Sequence, residues 1–498
     1  MAQEGLEFEV VLLPDSRTYG YVARKGTSLA VIYNGNEVAE FDQNYQTYGC
    51  SQEKCQGRFG GGIAFFGKTQ GKDTVVFSGV ARQVRCGNDI VGPMMWSAVS
   101  PNGQRFACIE PGVVGKGSLL HGDDATYGPF DVEMEPETLV ISDDGGVAVA
   151  AKRGGRGGEE TWLLITGPQA GTAFRAVSPP ALAPDGKAVV YLAVTDQGKL
   201  LLFVGGALKR QYDGYSYDVS SVGKQASFSR GPFGWPPTVS SDGQSVAFAA
   251  KKTDAPNGEC VMVDDRCGEI FDQIVTQPKF IDGTHAVFYE ALTASHERFV
   301  VVGDRKYGNS GGGWDRTPGA VLSVNGKTVA DAWNVARVQF GERGLTPLDE
   351  GHILVNGVDR KAIGLVDELA LSPDGESLAY VAHRRLISEG NRVAIAGYVV
   401  VRGDRAGQVW DQVQRGSLTF SPSGKSLAYV AHENREQYVV INEKKSEPFD
   451  LVLTPLIYSP DGSKLAFGAR KGRQILWKVL PAAASSNTSV PKSPPTRK

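Results

Sequence analysis

The chain has 498 residues, of which 41% are hydrophobic, and a formal net charge of −3. This length exceeds that of an ordinary single domain and suits an array of repeats. The near-neutral charge provides no broad basic face, which argues against a nucleic-acid partner. The 62 glycines are about twice average usage, and they favour many tight turns over long helices.

No segment has the character of a targeting or membrane sequence. Residues Met1 to Glu7 lack a basic stretch followed by an apolar one, so no secretory signal is predicted. No run approaches the roughly 18 consecutive apolar residues of a membrane span. We therefore expect a cytoplasmic protein with no membrane partner.

The cysteines are expected to be free thiols in a reducing compartment. They are Cys50, Cys55, Cys86, Cys108, Cys260 and Cys267. No Cys-x-x-Cys pair occurs, and zinc sites usually show short gaps between paired ligands. We interpret Cys50 and Cys55 as an ordinary loop pair, with a metal or redox role as the alternative.

Cys260 and Cys267 flank a predicted hairpin turn at Asp264-Asp265. A two-residue turn there places Cys267 opposite Met262 and diagonal to Cys260. Diagonal neighbours are about 7–8 Å apart, too far for an unstrained disulfide. We expect no bridge, although a shifted turn would permit one.

A four-residue phrase of the form Ser-Pro-Asp-Gly recurs along the chain. Clear copies stand at 100–103, 142–145, 183–186, 240–243, 372–375, 421–424 and 459–462, with worn copies at 13–16 and 281–283. Neighbouring clear copies start 38 to 57 residues apart, except across the gap from 240 to 372. Such a period with turn signals is typical of propeller blades.

Residues 417–452 illustrate one unit. A short apolar strand ends at Ser421-Pro422-Ser423-Gly424, where proline presets φ and glycine supplies the left-handed position. Apolar segments at 426–431 and 437–442 predict a second and a third strand, and a fourth ends at Phe449-Asp450. Four strands with tight connections make one meander, which is one blade.

An aromatic residue followed by aspartate closes several units. The copies are Phe41-Asp42, Phe130-Asp131, Phe271-Asp272, Trp410-Asp411 and Phe449-Asp450. We predict that the aromatic ring packs between neighbouring blades while the aspartate caps the next turn. The alternative is a ring of ligand-binding aspartates.

The repeat resembles the WD-repeat-like propeller repeats of TolB-type proteins and of prolyl-oligopeptidase-like enzymes. Leu371–Tyr380, Phe420–Tyr429 and Tyr458–Phe467 carry the resemblance, which is strong over 367–480, moderate over 96–275 and weak elsewhere. It implies an all-β fold, a β-propeller of roughly ten four-stranded blades. It says little about function, because this repeat serves many roles.

Ten or eleven units exceed the usual four to eight blades of a propeller, so two tandem propellers are expected. We predict degenerate repeats over 1–303, an irregular seam over 304–366, clear repeats over 367–480 and a disordered Pro/Ser-rich tail over 481–498. The alternative is one large ring. It would be closed by pairing of residues 7–12 with 474–477.

No catalytic motif is evident. Residues 308–312 read Gly-Asn-Ser-Gly-Gly, which superficially resembles a serine-protease loop, but no matching His-Asp constellation is visible in the chain.

The histidines are His121, His285, His296, His352, His383 and His432. His383 and His432 follow identical Leu-Ala-Tyr-Val-Ala runs, so they occupy one structural position in two blades. Each is expected to bond to a turn in its own blade, and a shared metal or anion site is the alternative.

The glycine-rich stretch 152–158 lacks the phosphate-loop pattern and a following helix, so it is interpreted as a hairpin between 147–150 and 161–164. The pairs Asp123-Asp124, Asp143-Asp144 and Asp264-Asp265 are assigned to turns.

The sequence thus predicts a non-enzymatic scaffold that binds a protein or peptide through its loop face and axial funnel, without a cofactor. Longer, irregular loops at 111–128, 152–160, 304–318 and 384–392 are the expected sites of specificity. The alternative is a propeller enzyme or a small-molecule or glycan-binding protein with a site in the funnel. A third possibility is a sensor module for a separate enzyme.

Overall fold

A computed structural model describes most of the chain. The described residues are 10–12, 19–25, 27–42, 48–50, 64–77, 79–83, 97–102, 104–112, 117–122, 125–154, 161–216, 235–254, 258–295, 297–309, 319–341, 344–388, 392–472 and 474–482. They form eleven antiparallel sheets and one 3-10 helix, η1 (Pro136–Thr138), and contain no α-helix. The chain divides into two compact units, Met1–Gly312 and Gly313–Lys498.

The first unit contains seven sheets in its described part. In chain order, with sheets separated by semicolons, their strands are β1 (Val10–Leu12), β2 (Tyr19–Lys25), β3 (Ser28–Tyr33), β4 (Asn36–Asp42); β5 (Tyr48–Cys50), β6 (Ala64–Thr69), β7 (Lys72–Phe77), β8 (Val80–Gln83); β9 (Ser97–Val99), β10 (Phe106–Glu110), β11 (Ser118–His121), β12 (Thr126–Phe130); β13 (Glu133–Met134), β14 (Val140–Ile141), β15 (Val147–Arg153), β16 (Thr161–Thr166), β17 (Gln169–Ala170); β18 (Ala176–Val177), β19 (Ala181–Leu182), β20 (Val189–Val194), β21 (Leu200–Val204), β22 (Ala207–Tyr212); β23 (Tyr215–Ser216), β24 (Thr238–Val239), β25 (Val246–Lys252), β26 (Glu259–Val263), β27 (Arg266–Cys267); β28 (Gln273–Ile274), β29 (Lys279–Phe280), β30 (Val287–Leu292), β31 (Arg298–Val302) and β32 (Arg305–Asn309).

The second unit contains four described sheets. Their strands are β33 (Val321–Leu322), β34 (Val329–Gly341), β35 (Gly344–Val355), β36 (Val358–Lys361); β37 (Leu365–Leu371), β38 (Leu378–Ser388), β39 (Arg392–Arg402), β40 (Arg405–Trp410); β41 (Gln412–Val413), β42 (Thr419–Phe420), β43 (Leu427–Glu433), β44 (Glu436–Ile441), β45 (Lys444–Lys445); β46 (Leu451–Tyr458), β47 (Lys464–Lys471) and β48 (Gln474–Pro481).

Each sheet is a meander whose strands pair in chain order. In five sheets the first strand is broken into two short pieces that both pair with the next strand. In two of these sheets a serine between the two pieces accepts a hydrogen bond from the next strand. Ser417 Oγ accepts the Val430 N–H at 3.0 Å, and Ser178 Oγ accepts the Leu192 N–H at 2.9 Å. Such repeated four-stranded meanders are the blades of a β-propeller, so the predicted all-β propeller fold is confirmed.

The recurrent turn is held by its own side chains. The Ser240 hydroxyl donates to Asp242 Oδ1 at 2.6 Å and accepts the Ser245 N–H at 2.9 Å. Asp242 Oδ1 also accepts the Gln244 N–H, and Gly243 takes a φ of +72°. These bonds favour the ionised carboxylate and lower the pKa of Asp242. The phrase therefore recurs because serine, aspartate and glycine each complete the turn.

Alternate residues of one strand pack on two different neighbours. Tyr429 and Ala431 belong to an apolar cluster with the preceding blade, while Ala428 and Val430 belong to a cluster with the following blade. All four are buried. The continuous apolar run arises because both faces of the strand are covered.

The aromatic–aspartate pairs join consecutive blades as predicted. Phe449 is 2% exposed and packs edge-on against Phe467 of the next blade, with ring centroids 5.7 Å apart. Asp411 Oδ2 accepts the Asn434 N–H at 2.8 Å, which caps the central hairpin turn of the next blade. Asp42 accepts the Gly71 N–H in the same way, also at 2.8 Å.

One expectation about the strands requires correction. Val10–Leu12 pairs with β2 in its own sheet, and residues 7–9 lie outside the described part. The pairing of 7–12 with 474–477, which the alternative of one large ring needs, stays a prediction. The run 341–351, predicted to be irregular, is regular antiparallel strand on both sides of residues 342–343. Whether the blades close as one ring or two stays a prediction.

The predicted free thiols are wrong for Cys260 and Cys267, which form a disulfide. The turn is where it was expected, because Met262 faces Cys267 and Val263 faces Arg266. The Cα atoms of the diagonal pair are nevertheless 5.8 Å apart, since strand twist shortens one of the two diagonals. Cys108 is also disulfide-bonded, and no cysteine with a described side chain is free.

Replacing both Cys260 and Cys267 with alanine is expected to lower the free energy of unfolding by about 2 kcal/mol, because the bridge closes only a short loop. Urea unfolding of the oxidised chain and of this variant measures the change. Reductant should shift the unfolding midpoint less in the variant than in the unaltered chain. Alkylation of Cys260 without prior reduction would contradict the disulfide.

Candidate functional site: a pair of projecting β-ribbons

Two neighbouring blades of the second unit have unusually long central strands. β34 and β35 contain 13 and 12 residues, and β38 and β39 contain 11 each. The equivalent β43 and β44 contain only 7 and 6. The extra residues extend two hairpins beyond the edge of their sheets.

We define the ribbon pair as these extensions. The first ribbon comprises 334–341 and 344–351, paired in register from Asn334–Gly351 to Gly341–Gly344. It has eight residue pairs and thus extends about 24 Å. The second ribbon comprises 384–388 and 392–397. Part of the predicted loop 384–392 is therefore strand, with residues 389–391 outside the described part.

A partly buried ion pair joins the two ribbons. Arg385 Nε lies 3.0 Å from both carboxylate oxygens of Asp349, and its Nη2 also contacts Oδ1. The two side chains are 18% and 11% exposed. A bidentate pair of this kind fixes relative orientation as well as distance. Because a two-stranded ribbon is only marginally stable alone, this contact makes the projection a defined surface.

The base of the ribbon pair is closely packed. The Asn334 side chain donates to the Val366 carbonyl and accepts the Val366 N–H, both at 2.8 Å, so it imitates a strand partner. Gly364 has a φ of +81°, and a Cβ there would lie 2.5 Å from the His383 carbonyl oxygen. Only glycine fits this close approach, which lies at the start of β37 where it pairs with β38 of the same blade.

His383 and His432 occupy equivalent positions, as their identical preceding runs predicted, but their surroundings differ. His383 Nδ1 contacts Asp367 on β37 of its own blade, and its ring lies 5.6 Å from that of Tyr398. Burial lowers the pKa of His432. Its buried Nε2 finds no hydrogen-bond partner among the described residues. No group of three or more His, Cys, Asp or Glu side chains in the described ranges is arranged to hold a metal.

The Glu368 carboxylate, next to Asp367 in the chain, joins its blade to the following one. Glu368 accepts the N–H groups of Gly416 and Leu418, at 2.9 and 3.3 Å, from the following blade. Burial raises the pKa of Glu368. A perturbed carboxylate can indicate catalysis, but these backbone bonds give this one a structural role.

The structure brings together a serine, a histidine and two aspartates that the sequence did not reveal. Ser245 Oγ lies 2.7 Å from His285 Nδ1, and His285 Nε2 lies 3.2 Å from Asp242. Ser245 Oγ also lies 2.8 Å from Asp264 Oδ2. A nucleophile needs a base that takes its proton. Here the Ser245 hydroxyl donates to Asp264, and the serine is buried.

The remaining predicted positions have local roles or lie outside the described residues. His121 contacts Glu110 and Thr126, and His352 contacts Asp359 and stacks on Trp333. β15 and β16 form the predicted hairpin around 155–160. Asp144 and Asp264 lie in the predicted turns. The predicted positions outside the described residues include His296, Cys55, Cys86, 13–16, 113–116, 123–124, 155–160, 310–318 and 483–498. Pro481, the first residue of the predicted disordered tail, is instead the last residue of β48.

Comparisons with known proteins concern the fold alone. No protein-family model matches the chain, and no curated protein matches it. The β-propeller domain of Cps50 (Swd1) from Myceliophteria thermophila is 10% identical with a TM-score of 0.25, covering 60% of this chain and 95% of its own. The propeller domain of the trilobed protease from Pyrococcus furiosus is 10% identical with a TM-score of 0.27, covering 63% and 99%. A eukaryotic initiation factor is 12% identical with a TM-score of 0.35, covering 87% and 96%.

The chain is therefore a β-propeller protein by its all-strand, blade-like sheets. In the described residues no helix has the length and apolar character of a membrane span.

Proposed function

We propose that this protein is a non-enzymatic scaffold that binds a protein partner through the ribbon pair. The observation that carries the proposal is the partly buried Arg385–Asp349 pair. It holds the two projecting ribbons in a fixed arrangement. The blade that contains the shorter β43 and β44 forms without such an extension. A preorganised projection lowers the ordering cost of association.

The absence of an enzymatic role is part of the proposal. The described carboxylates and histidines of the second unit that have perturbed pKa values are explained by burial and by contacts within or between blades. A small-molecule or glycan-binding site, or a propeller enzyme, remains the second proposal. We infer no nucleic-acid partner from the net charge of −3.

The cytoplasmic location stays a prediction. The Cys260–Cys267 disulfide is of a kind that persists mainly in oxidising compartments. Fractionation of the source cell, with thiols blocked before lysis, distinguishes a cytoplasmic location from an oxidising compartment.

The test is a shortened first ribbon. Residues 337–348 are replaced by Asn-Gly, which joins Ala336 to Asp349. These two residues already face each other in register, so a two-residue turn fits and Asp349 is retained. The matched control is Arg435→Gly, in the short turn between β43 and β44, where Arg435 has a φ of +69°.

We expect the unaltered chain and the control to retain a stoichiometric, salt-resistant partner from source-cell extract, and the shortened chain to lose it. Mass spectrometry of the retained proteins measures this. Equal retention by the shortened chain would contradict the role of the ribbon pair. If no chain retains a protein, the scaffold proposal fails, and a metabolite and glycan binding screen tests the second proposal.

A further inference from the structure

The last sheet of the second unit lacks a fourth strand. It consists of β46, β47 and β48, whereas each of the other ten described sheets has at least four strands. β48 is therefore the outermost strand of its sheet, and within the described ranges no strand pairs with its outer edge. It contains eight residues, more than the outermost strand of any other described sheet. A long open edge of this kind can pair with another strand.

The hydrogen-bond pattern determines which backbone groups of β48 face outward. The Ala482 N–H, directly after β48, donates at 2.8 Å to the carbonyl of Ser463, directly before β47. Bonding alternates along an antiparallel strand, so the even-numbered residues of β48 bond to β47. The N–H and carbonyl groups of Ile475, Trp477 and Val479 consequently face the open edge.

Two apolar side chains at these positions are exposed. Trp477 is 44% exposed and Val479 is 51% exposed. Leu476 and Leu480 alternate with them and pack on the apolar cluster shared with the preceding blade. The exposed pair is therefore on the face of β48 that does not pack on the preceding blade.

The lysine in β48 does not block the open edge. Lysine often protects an edge strand from association. Lys478, however, alternates with Trp477 and faces the preceding blade, where its Nζ lies 2.6 Å from Glu447 and 5.8 Å from the centre of the Phe449 ring. Its charge is thus engaged within the chain, on the face opposite the exposed apolar side chains.

We propose that β48 is the contact between two copies of this chain, which pair antiparallel about a two-fold axis at Trp477. In that register Trp477 lies opposite Trp477 of the second copy, and Ile475 lies opposite Val479 of the second copy. All of these residues turn their N–H and carbonyl groups to the edge, so each pair can exchange both hydrogen bonds. An axis at Lys478 would instead place like charges opposite each other and oppose backbone groups that already bond to β47.

The register argues for a second copy as the occupant of this edge. It is self-complementary, as a two-fold contact requires, and a cross-strand pair of aromatic rings stabilises adjacent strands. Residues 7–12, which one large ring needs at this edge, are the competing occupant, but Val10–Leu12 already pair with β2. The contact uses no residue of the ribbon pair and does not depend on the proposed partner binding.

The experiment is sedimentation velocity of the full chain from about 1 to 100 µM, because an edge contact of one strand buries little surface and is weak. The unaltered chain should form a dimer as its concentration rises. Val479→Pro removes an N–H that faces the edge. It should raise the dissociation constant roughly tenfold or more, since two symmetry-related hydrogen bonds are lost.

The matched control is Leu208→Pro, on the outermost strand of another sheet. Leu208 is 55% exposed on β22. It follows Ala207, which closes a two-residue turn with Val204, so the Leu208 N–H also faces outward. This variant should leave the dissociation constant unchanged.

A second set of variants tests the two-fold register itself. Trp477→Lys alone and Trp477→Glu alone should each abolish the dimer, because each places like charges opposite each other. An equimolar mixture of the two chains should restore it, since opposite charges then meet. Val409→Lys, at a 63% exposed position on β40, adds a surface charge elsewhere and should keep the dimer.

A full chain that stays monomeric over this range would overturn the proposal, and so would a dimer that Val479→Pro and Trp477→Lys leave unchanged. If a monomeric chain becomes dimeric when residues 1–9 are removed, the edge belongs to the chain's own N-terminal segment. If a monomeric chain loses a partner protein in Val479→Pro but not in Leu208→Pro, the edge belongs to that protein. Either result also overturns the pairing of two copies.

Discussion

Arg385→Met is expected to lower the free energy of unfolding of the second unit by about 3 kcal/mol, because it leaves the Asp349 carboxylate without its guanidinium. Methionine keeps much of the volume and removes the charge. Asp349 is only 11% exposed, so water cannot fully replace the lost partner. Urea unfolding measures the change, and hydrogen exchange of the backbone amides in 334–351 and 384–397 shows whether the ribbons loosen first.

The control for this variant is a nearby exposed pair. Lys361 lies 3.3 Å from Glu350, with side chains 70% and 51% exposed. Lys361→Met should change stability by less than about 0.5 kcal/mol. The double variant Arg385→Met with Asp349→Leu should recover most of the loss, since apolar groups can replace a buried pair. Equal effects of Arg385→Met and Lys361→Met would show that the ion pair does not hold the ribbons.

Phe449→Ala is expected to cost about 3–5 kcal/mol, the usual range for removing a buried aromatic ring. Phe449 is 2% exposed, and its N–H and carbonyl both bond to Gln437. Its ring packs against Phe467 of the next blade. The substitution therefore opens a cavity between two blades while leaving the backbone bonds intact. Thermal and urea unfolding measure the loss.

Val409→Ala provides the comparison, because Val409 is 63% exposed on an outer strand. It should change stability by less than about 0.5 kcal/mol. Phe449→Leu should fall between the two variants, since leucine refills part of the space. A loss below about 1 kcal/mol for Phe449→Ala would mean that the ring is not the main contact between these blades.

Local chemistry made the blade predictable from the sequence. Four consecutive apolar residues, Ala428 to Ala431, predicted a strand covered on both faces, and adjacent members indeed pack on different blades. The turn at Ser240-Ser241-Asp242-Gly243 was predictable because its bonds join residues at most five positions apart. The aspartate caps were predictable because the same pair closes unit after unit.

The sequence predicted the positions of His383 and His432 in their blades but not the side chains around them. Their equivalence followed from identical preceding residues. Only the fold supplied Asp367, at an irregular step in the pairing of β37 and β38, to one histidine. The expectation that Cys260 and Cys267 stay unbridged failed because an average diagonal distance ignores the twist of the individual strands.

The amino-acid sequence by itself determined the all-β class, the repeated turn and the aromatic contacts between blades, because these depend on residues close in the chain or on one pattern repeated. The tertiary structure decided the ribbon pair and the contact between His285 and Ser245. Arg385 meets Asp349 across 36 positions, and His285 meets Ser245 across 40. No local rule specifies which side chains two different blades bring together, since that depends on how the blades pack.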